Sequence, residues 1–149
     1  MNRYKVTITP SQGGGEFELP HVSGVKTAIG RVVGPDGRIA NDGHQLSPVT
    51  IVSHLALQSD DEDGPVEIPK EVFDLAAAHG QAAYCSGEIQ VSVADDDDNV
   101  AQTWRWDRGC VSLLEPEYDQ RGMMLRVEIT PVALTIDESP YRRRVVRGR

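Results

Sequence analysis

Aromatic side chains are scarce in this chain, 5% of 149 residues, and cysteine occurs only twice. Two thiols, Cys85 and Cys110, are too few for a disulfide framework. In a reducing compartment the default is a pair of free, buried thiols; a bridge within or between subunits stays open as the alternative. No apolar run approaches the ~20 residues of a membrane-spanning helix, so no membrane partner is expected. "MNRYKVTITP" carries no hydrophobic signal region, which predicts a protein that is cytoplasmic when made. The Gly-x-Ser-x-Gly, His-Glu-x-x-His and phosphate-loop patterns are missing, and "GGGEF" lacks the lysine and following helix of a phosphate loop. His21, His44, His54 and His79 have no metal-ligand spacing, and neither cysteine belongs to a Cys-x-x-Cys pair. These absences predict no catalytic residue, no metal and no cofactor.

Acid is abundant and unevenly placed. Net charge is −8, yet the last ten residues, "PYRRRVVRGR", hold five arginines and no acid. The first 139 residues then carry 10 basic and 23 acidic side chains, a net of −13. Such a body repels nucleic-acid phosphates, whereas its tail attracts acidic surfaces. The tail could serve as a nucleic-acid arm; a flexible arm docked on a neighbouring acidic body is at least as good a reading.

The two acidic runs invite a calcium reading, which fails. An EF-hand loop needs oxygen ligands at its first, third, fifth and last positions and a glycine at the sixth. Counted from Asp95, Asp97 and Asn99 fit, but Val100 and Trp106 fall where the glycine and final acid belong. "SDDEDG" fails in the same way at Ser59 and Lys70. Asp95, Asp96, Asp97 and Asp98 read instead as a hairpin tip: Asp caps local backbone groups, and like charges discourage wrong edge contacts.

Val, Ile and Thr are plentiful, which favours β structure. Alternation predicts strands over 3–9, around Phe17 and Leu19, and over 24–33, 49–57, 87–94, 101–114 and 122–136. Residues 34–48 are rich in turn signals and read as a long loop. One helix is predicted over about 69–79, with Pro69 in the first turn and Gly80 as its stop. Val72, Phe73, Leu75, Ala76 and His79 form its apolar stripe. In "GEIQVSV", Ile89, Val91 and Val93 alternate with Glu88, Gln90 and Ser92, a strand with one dry and one wet face. In the last strand the apolar phase flips at Thr130–Pro131, which predicts a bulge or bend. Trp104 and Trp106 share a strand face. A stacking platform for single-stranded nucleic acid needs a basic groove around such residues, so a core or interface role is preferred. The fold class is mainly β: an antiparallel β-barrel or sandwich with one α-helix. Residues 1–139 form a single domain, and 140–149 a basic arm.

The order of these elements resembles a known family. "VSGVKT" enters a strand, "HQLSPVTIVSHLAL" follows the long loop, "FDLAA" lies in the helix, and "CSGEIQVSVADDDDNVAQTWRWDRGC" and "MLRVEITPVALTID" close the sheet. This looks like the tail tube protein of contractile phage tails and the haemolysin-coregulated tube protein of type VI secretion. The resemblance covers residues 3–137 and excludes the arginine tail. It implies six copies in a ring whose sheets join edge to edge, with rings stacked into a tube that passes DNA without binding it specifically. Implied partners are the tail sheath, the baseplate or tube initiator, and the tape measure. The implied location is the virion tail, assembled in the bacterial cytoplasm. A type VI or other injection-system tube, or a tube initiator, is the alternative, and a small β-barrel module binding a ligand or peptide is the alternative of another class. In the tube reading, Glu88, Gln90 and Ser92 face the lumen. Pro35, Asp36, Arg38, Asn41, Asp42 and His44 touch the next ring, and Arg142, Arg143, Arg144 and Arg147 reach a neighbouring subunit or the sheath.

Overall fold

The computed structural model describes residues 3–33, 35–56, 70–92, 100–120, 122–138 and 142–147. Strand β1, Arg3–Pro10, alternates as its sequence predicts, with Val6 and Ile8 fully buried. A turn follows in which Gly13 and Gly14 take φ of 59° and 135°, the conformations glycine reaches at little steric cost. The chain returns as β2, Phe17–Leu19. The strand predicted over 24–33 is two strands, β3 (Val22–Lys26) and β4 (Ile29–Val33), because the two pair with different partners.

The predicted loop 34–48 is a hairpin arm. β4 pairs antiparallel with β5, Ile39–Leu46, as a separate two-stranded sheet. Asn41, Asp42 and Gly43 are turn residues by composition, so the local signal pointed away from the strand that pairing imposes. β6, Val49–Ala56, follows. Helix α1, Lys70–Ala77, buries Val72 and Leu75, one turn apart. Phe73 is 41% exposed and His79 lies beyond the helix, so the buried stripe is narrower than predicted. A 3-10 turn, Gly80–Ala83, leads into β7, Tyr84–Ser92.

β8, Val100–Tyr118, is longer than predicted because it serves two sets of partners. Its first half pairs with β7 on one edge. Its other edge takes β9, Gly122–Pro131, and then β10, Ala133–Glu138. Between β9 and β10 the predicted phase flip occurs: Leu125, Val127 and Ile129 are buried, then Leu134 and Ile136. Val132 turns outward, 55% exposed, while its N–H still donates to the Arg108 carbonyl at 2.9 Å. β8 thus keeps its partner through the bend, but the far edge changes hands: β9 pairs with β6, and β10 with β11, Arg142–Arg147. The arginine tail over those residues is therefore a strand of the sheet.

The main sheet runs β2-β1-β7-β8-β9-β6-β3 and curls until β3 lies against β1 without a ladder between them. Val6, Ile8, Ile51, Ile89, Trp106, Leu125, Val127 and Ile129 fill the interior, and α1 adds Val72 and Leu75 to the same core. Burying each such side chain contributes about 1.5–3 kcal/mol. Among the described residues α1 is the only α-helix, so the predicted mainly β, barrel-like class with a single helix is borne out. No helix among them is long and apolar enough to cross a membrane.

Candidate functional site

Strand alternation gives β7 its two faces. Ile89 is fully buried, while Glu88, Gln90 and Ser92 are partly exposed on the opposite face. Register then decides what they meet. Glu88 lies opposite Thr7 of β1 and Arg105 of β8, and Gln90 opposite Lys5 and Thr103. The Arg105 Nε donates to Glu88 Oε2 at 2.8 Å, and its Nη1 to Asp137 Oδ2 of β10 at 3.0 Å. Gln90 Nε2 donates to the second Glu88 oxygen, Oε1, at 2.5 Å. One guanidinium thus ties three strands together on the polar face, and the bond to Glu88 holds its pKa above the ordinary arginine value. The Glu88 carboxylate is ion-paired in place and shares its guanidinium with Asp137. Beside it, Thr7, Thr9, Glu16, Ser86, Arg105 and Asp107 line a shallow concavity of about 200 Å³.

Arg105 and Asp137 had no assigned role in the sequence. "TWRW" does place Arg105 opposite in phase to the tryptophans, but only the β7–β8–β10 register shows that two carboxylates await it. No set of three or more His, Cys, Asp or Glu able to hold a metal occurs among the described residues.

On the inner face Trp106 is 1% exposed and Trp104 packs against the core partly buried, with its indole N–H donating to Gln102 Oε1 at 2.7 Å. The buried Trp106 indole nitrogen has no hydrogen-bond partner. Burial pushes the Cys85 thiol pKa up, the neighbouring Trp106 indole partly offsets this, and nearby Cys110 adds to the push. Both thiols are free. Cys85 lies opposite Gly109, and Cys110 is one residue further on, so the pleat sends them to opposite faces.

At the β4–β5 tip, Pro35, Asp36 and Arg38 are exposed. Arg38 N–H donates to Asp36 Oδ1 at 3.1 Å, and Gly37 takes a φ of 79° to close the turn. Asn41, Asp42 and His44 fall along β5, so this set is spread down one arm of the hairpin. Arg142, Arg143, Arg144 and Arg147 all fall on β11. Asp95, Asp96, Asp97 and Asp98 lie outside the described residues, as does Pro69.

A curled antiparallel sheet with a single α-helix among the described residues and a separate two-stranded hairpin is the class of fold the chain presents. Solved structures give that class a sharper outline. An Hcp protein matches with a TM-score of 0.72 at 10% identity, over 100% of this chain and 99% of the other. Hcp1 from the E. coli EAEC 042 pathovar matches at 0.67 and 9% identity, over 97% of each chain. The secreted protein Hcp3 from Pseudomonas aeruginosa matches at 0.59 and 14% identity, over 99% of this chain and all of the other. The fold of this chain is the tube fold of the haemolysin-coregulated proteins, as the order of elements implied. No protein-family model and no curated protein matches the chain by sequence.

Proposed function

We propose that this protein is a structural subunit of a contractile injection system tube, of the type VI kind. The observation that carries the reading is the end-to-end match to an Hcp protein, 100% of this chain and 99% of the other at a TM-score of 0.72. A second match, a type VI secretion system effector from Yersinia pestis at 0.63, supports the type VI form. The phage-tail form, with DNA as cargo and a virion as location, gives way on the same ground: its support was an order of elements that both kinds of tube share.

In this reading six copies form a ring, with the polar face of β1, β7, β8 and β10 toward the lumen. Glu88, Gln90 and Ser92 then line the conduit, with Gln90 and Arg105 both bonded to Glu88 and the same guanidinium shared with Asp137. With Glu16 and Asp107 beside it, this wall keeps a net negative charge, which repels acidic cargo instead of holding it. The β4–β5 hairpin, tipped by Pro35, Asp36 and Arg38, reaches the next ring. A sheath and a baseplate complete the machine. Negative-stain microscopy of the purified protein tests the reading: rings or stacks with a central pore are expected. A strict monomer at high concentration, free of rings, argues for an isolated β-barrel binding module.

A further inference from the structure

Two of the four histidines, far apart in sequence, meet across the sheet. Val22 of β3 lies opposite Ser53 of β6, so His21 and His54 take the next position. The His54 N–H donates to the His21 carbonyl at 3.2 Å. On its other side His54 lies opposite Met124 of β9. Ser53 and Leu125, the chain neighbours of His54 and Met124, are buried. Alternation therefore sends His54 and Met124 to the outer face. His21 and His54 are exposed, and Met124 is half-buried. His21 alone among the described non-glycine residues has a positive φ, 49°, a region that side chains rarely adopt. The turn before it is tied to β6 by the Ser53 hydroxyl, which donates to the Pro20 carbonyl. Such a conformation persists only where its surroundings impose it, and functional sites are where it concentrates.

We propose that His21, His54 and Met124 form a copper site on the outer face of the sheet. Side chains at facing positions stand about 5 Å apart at Cβ, and a metal–imidazole bond is about 2 Å long. Two neighbouring imidazoles can therefore converge on one ion. Met124 flanks His54 on the side away from His21 and supplies a softer third donor. Those donors select the metal. Imidazole suits zinc, nickel and copper, but divalent affinity peaks at copper, and thioether sulfur favours copper over zinc. The one carboxylate in the row, Glu117, lies one strand beyond Met124, too little oxygen for calcium or magnesium. Sets of three from His, Cys, Asp and Glu are missing among the described residues; here the third donor is a thioether, which lies outside those types. Spacing along the chain predicts no metal because the β3–β6–β9 register, and nothing local, assembles the row. The site does not rest on the tube reading.

Copper(II) titration of the full chain, followed by calorimetry and electron paramagnetic resonance, tests the site. Cys110→Ser serves as the parent, so that the partly exposed thiol neither binds nor reduces the metal. One copper per chain is expected, held more tightly than zinc or nickel and with two imidazole nitrogens in its spectrum. His21→Gly removes one ligand while suiting the left-handed φ, so the turn keeps its fold. His54→Ala removes the other. Each is expected to weaken copper binding more than about tenfold, because losing even an outer partner of a metal ligand costs that much. Met124→Leu, close in volume, is expected to narrow the preference for copper over zinc. His79→Ala, at an exposed histidine outside the row, is expected to leave copper affinity unchanged. Affinity that survives intact in both His21→Gly and His54→Ala, or that His79→Ala weakens equally, overturns the site. Zinc held as tightly as copper, or a copper preference that Met124→Leu leaves whole, overturns the assignment of the metal. Rings or their absence in the same samples bear on the tube reading alone.

Discussion

A Cβ on Gly87 would lie 2.1 Å from Cζ2 of Trp106, and one on Gly109 would lie 3.0 Å from its Cδ1. The largest side chain of the core therefore lies across two strand positions kept bare for it. Gly87 sits where β7 and β8 slip register, directly opposite Trp106, so the bulge and the missing side chain act together. The atoms crowding Gly87 belong to a rigid indole enclosed on all sides, which has no other place to go. Gly87→Ala is expected to cost about 1–3 kcal/mol of stability, as overpacked cores do. Urea unfolding, with Gly24→Ala as the control in open space, measures it. The burial of Trp106 was legible in the sequence from its phase and the acidic flank. Its dependence on Gly87 was not, because nineteen positions separate them and only the pairing of β7 with β8 brings them together.

At the scale of elements, Arg105 is the feature that local sequence hides. It lies between two tryptophans and carries the one guanidinium that bonds both Glu88 and Asp137. Its side chain is 43% exposed, so solvent screening limits the value of each bond. Arg105→Ala is expected to lower stability by only about 0.5–1 kcal/mol. A double-mutant cycle with Asp137→Ala, run at low and high salt, is expected to give a coupling that shrinks as salt rises. The strands with clean alternation, β1, β7 and β9, were readable from spacing alone because each has one dry face. The β5 strand was not, since its turn residues are overruled by pairing with β4. Nor was β11, whose arginines read as a free arm although its backbone completes a ladder on β10. In both cases long-range pairing outweighs local propensity.

Across the whole molecule, element order carried more information than any motif, because the order and spacing of strands decide which faces and edges the sheet presents. The axial contacts remain to be separated from the lateral ones, and the β4–β5 hairpin allows this. It forms a two-stranded sheet of its own, with no ladder to the main sheet among the described residues although β5 lies beside β11. At its tip the Arg38 Nε and Asp36 Oδ2 stand 3.8 Å apart, with the side chains 87% and 62% exposed. A pair so exposed contributes little to folding, so Asp36→Ala with Arg38→Ala is expected to leave thermal stability within about 0.5 kcal/mol of the parent. If the tip meets the next ring, the same change removes two charged contacts from each of six axial interfaces at once, and small losses multiply along a stack. Single rings should then form at the parental concentration while mean stack length in micrographs falls several-fold. Stacks of unchanged length would assign the axial contact to another surface, whereas loss of the rings themselves would mean that the hairpin also serves the lateral joint.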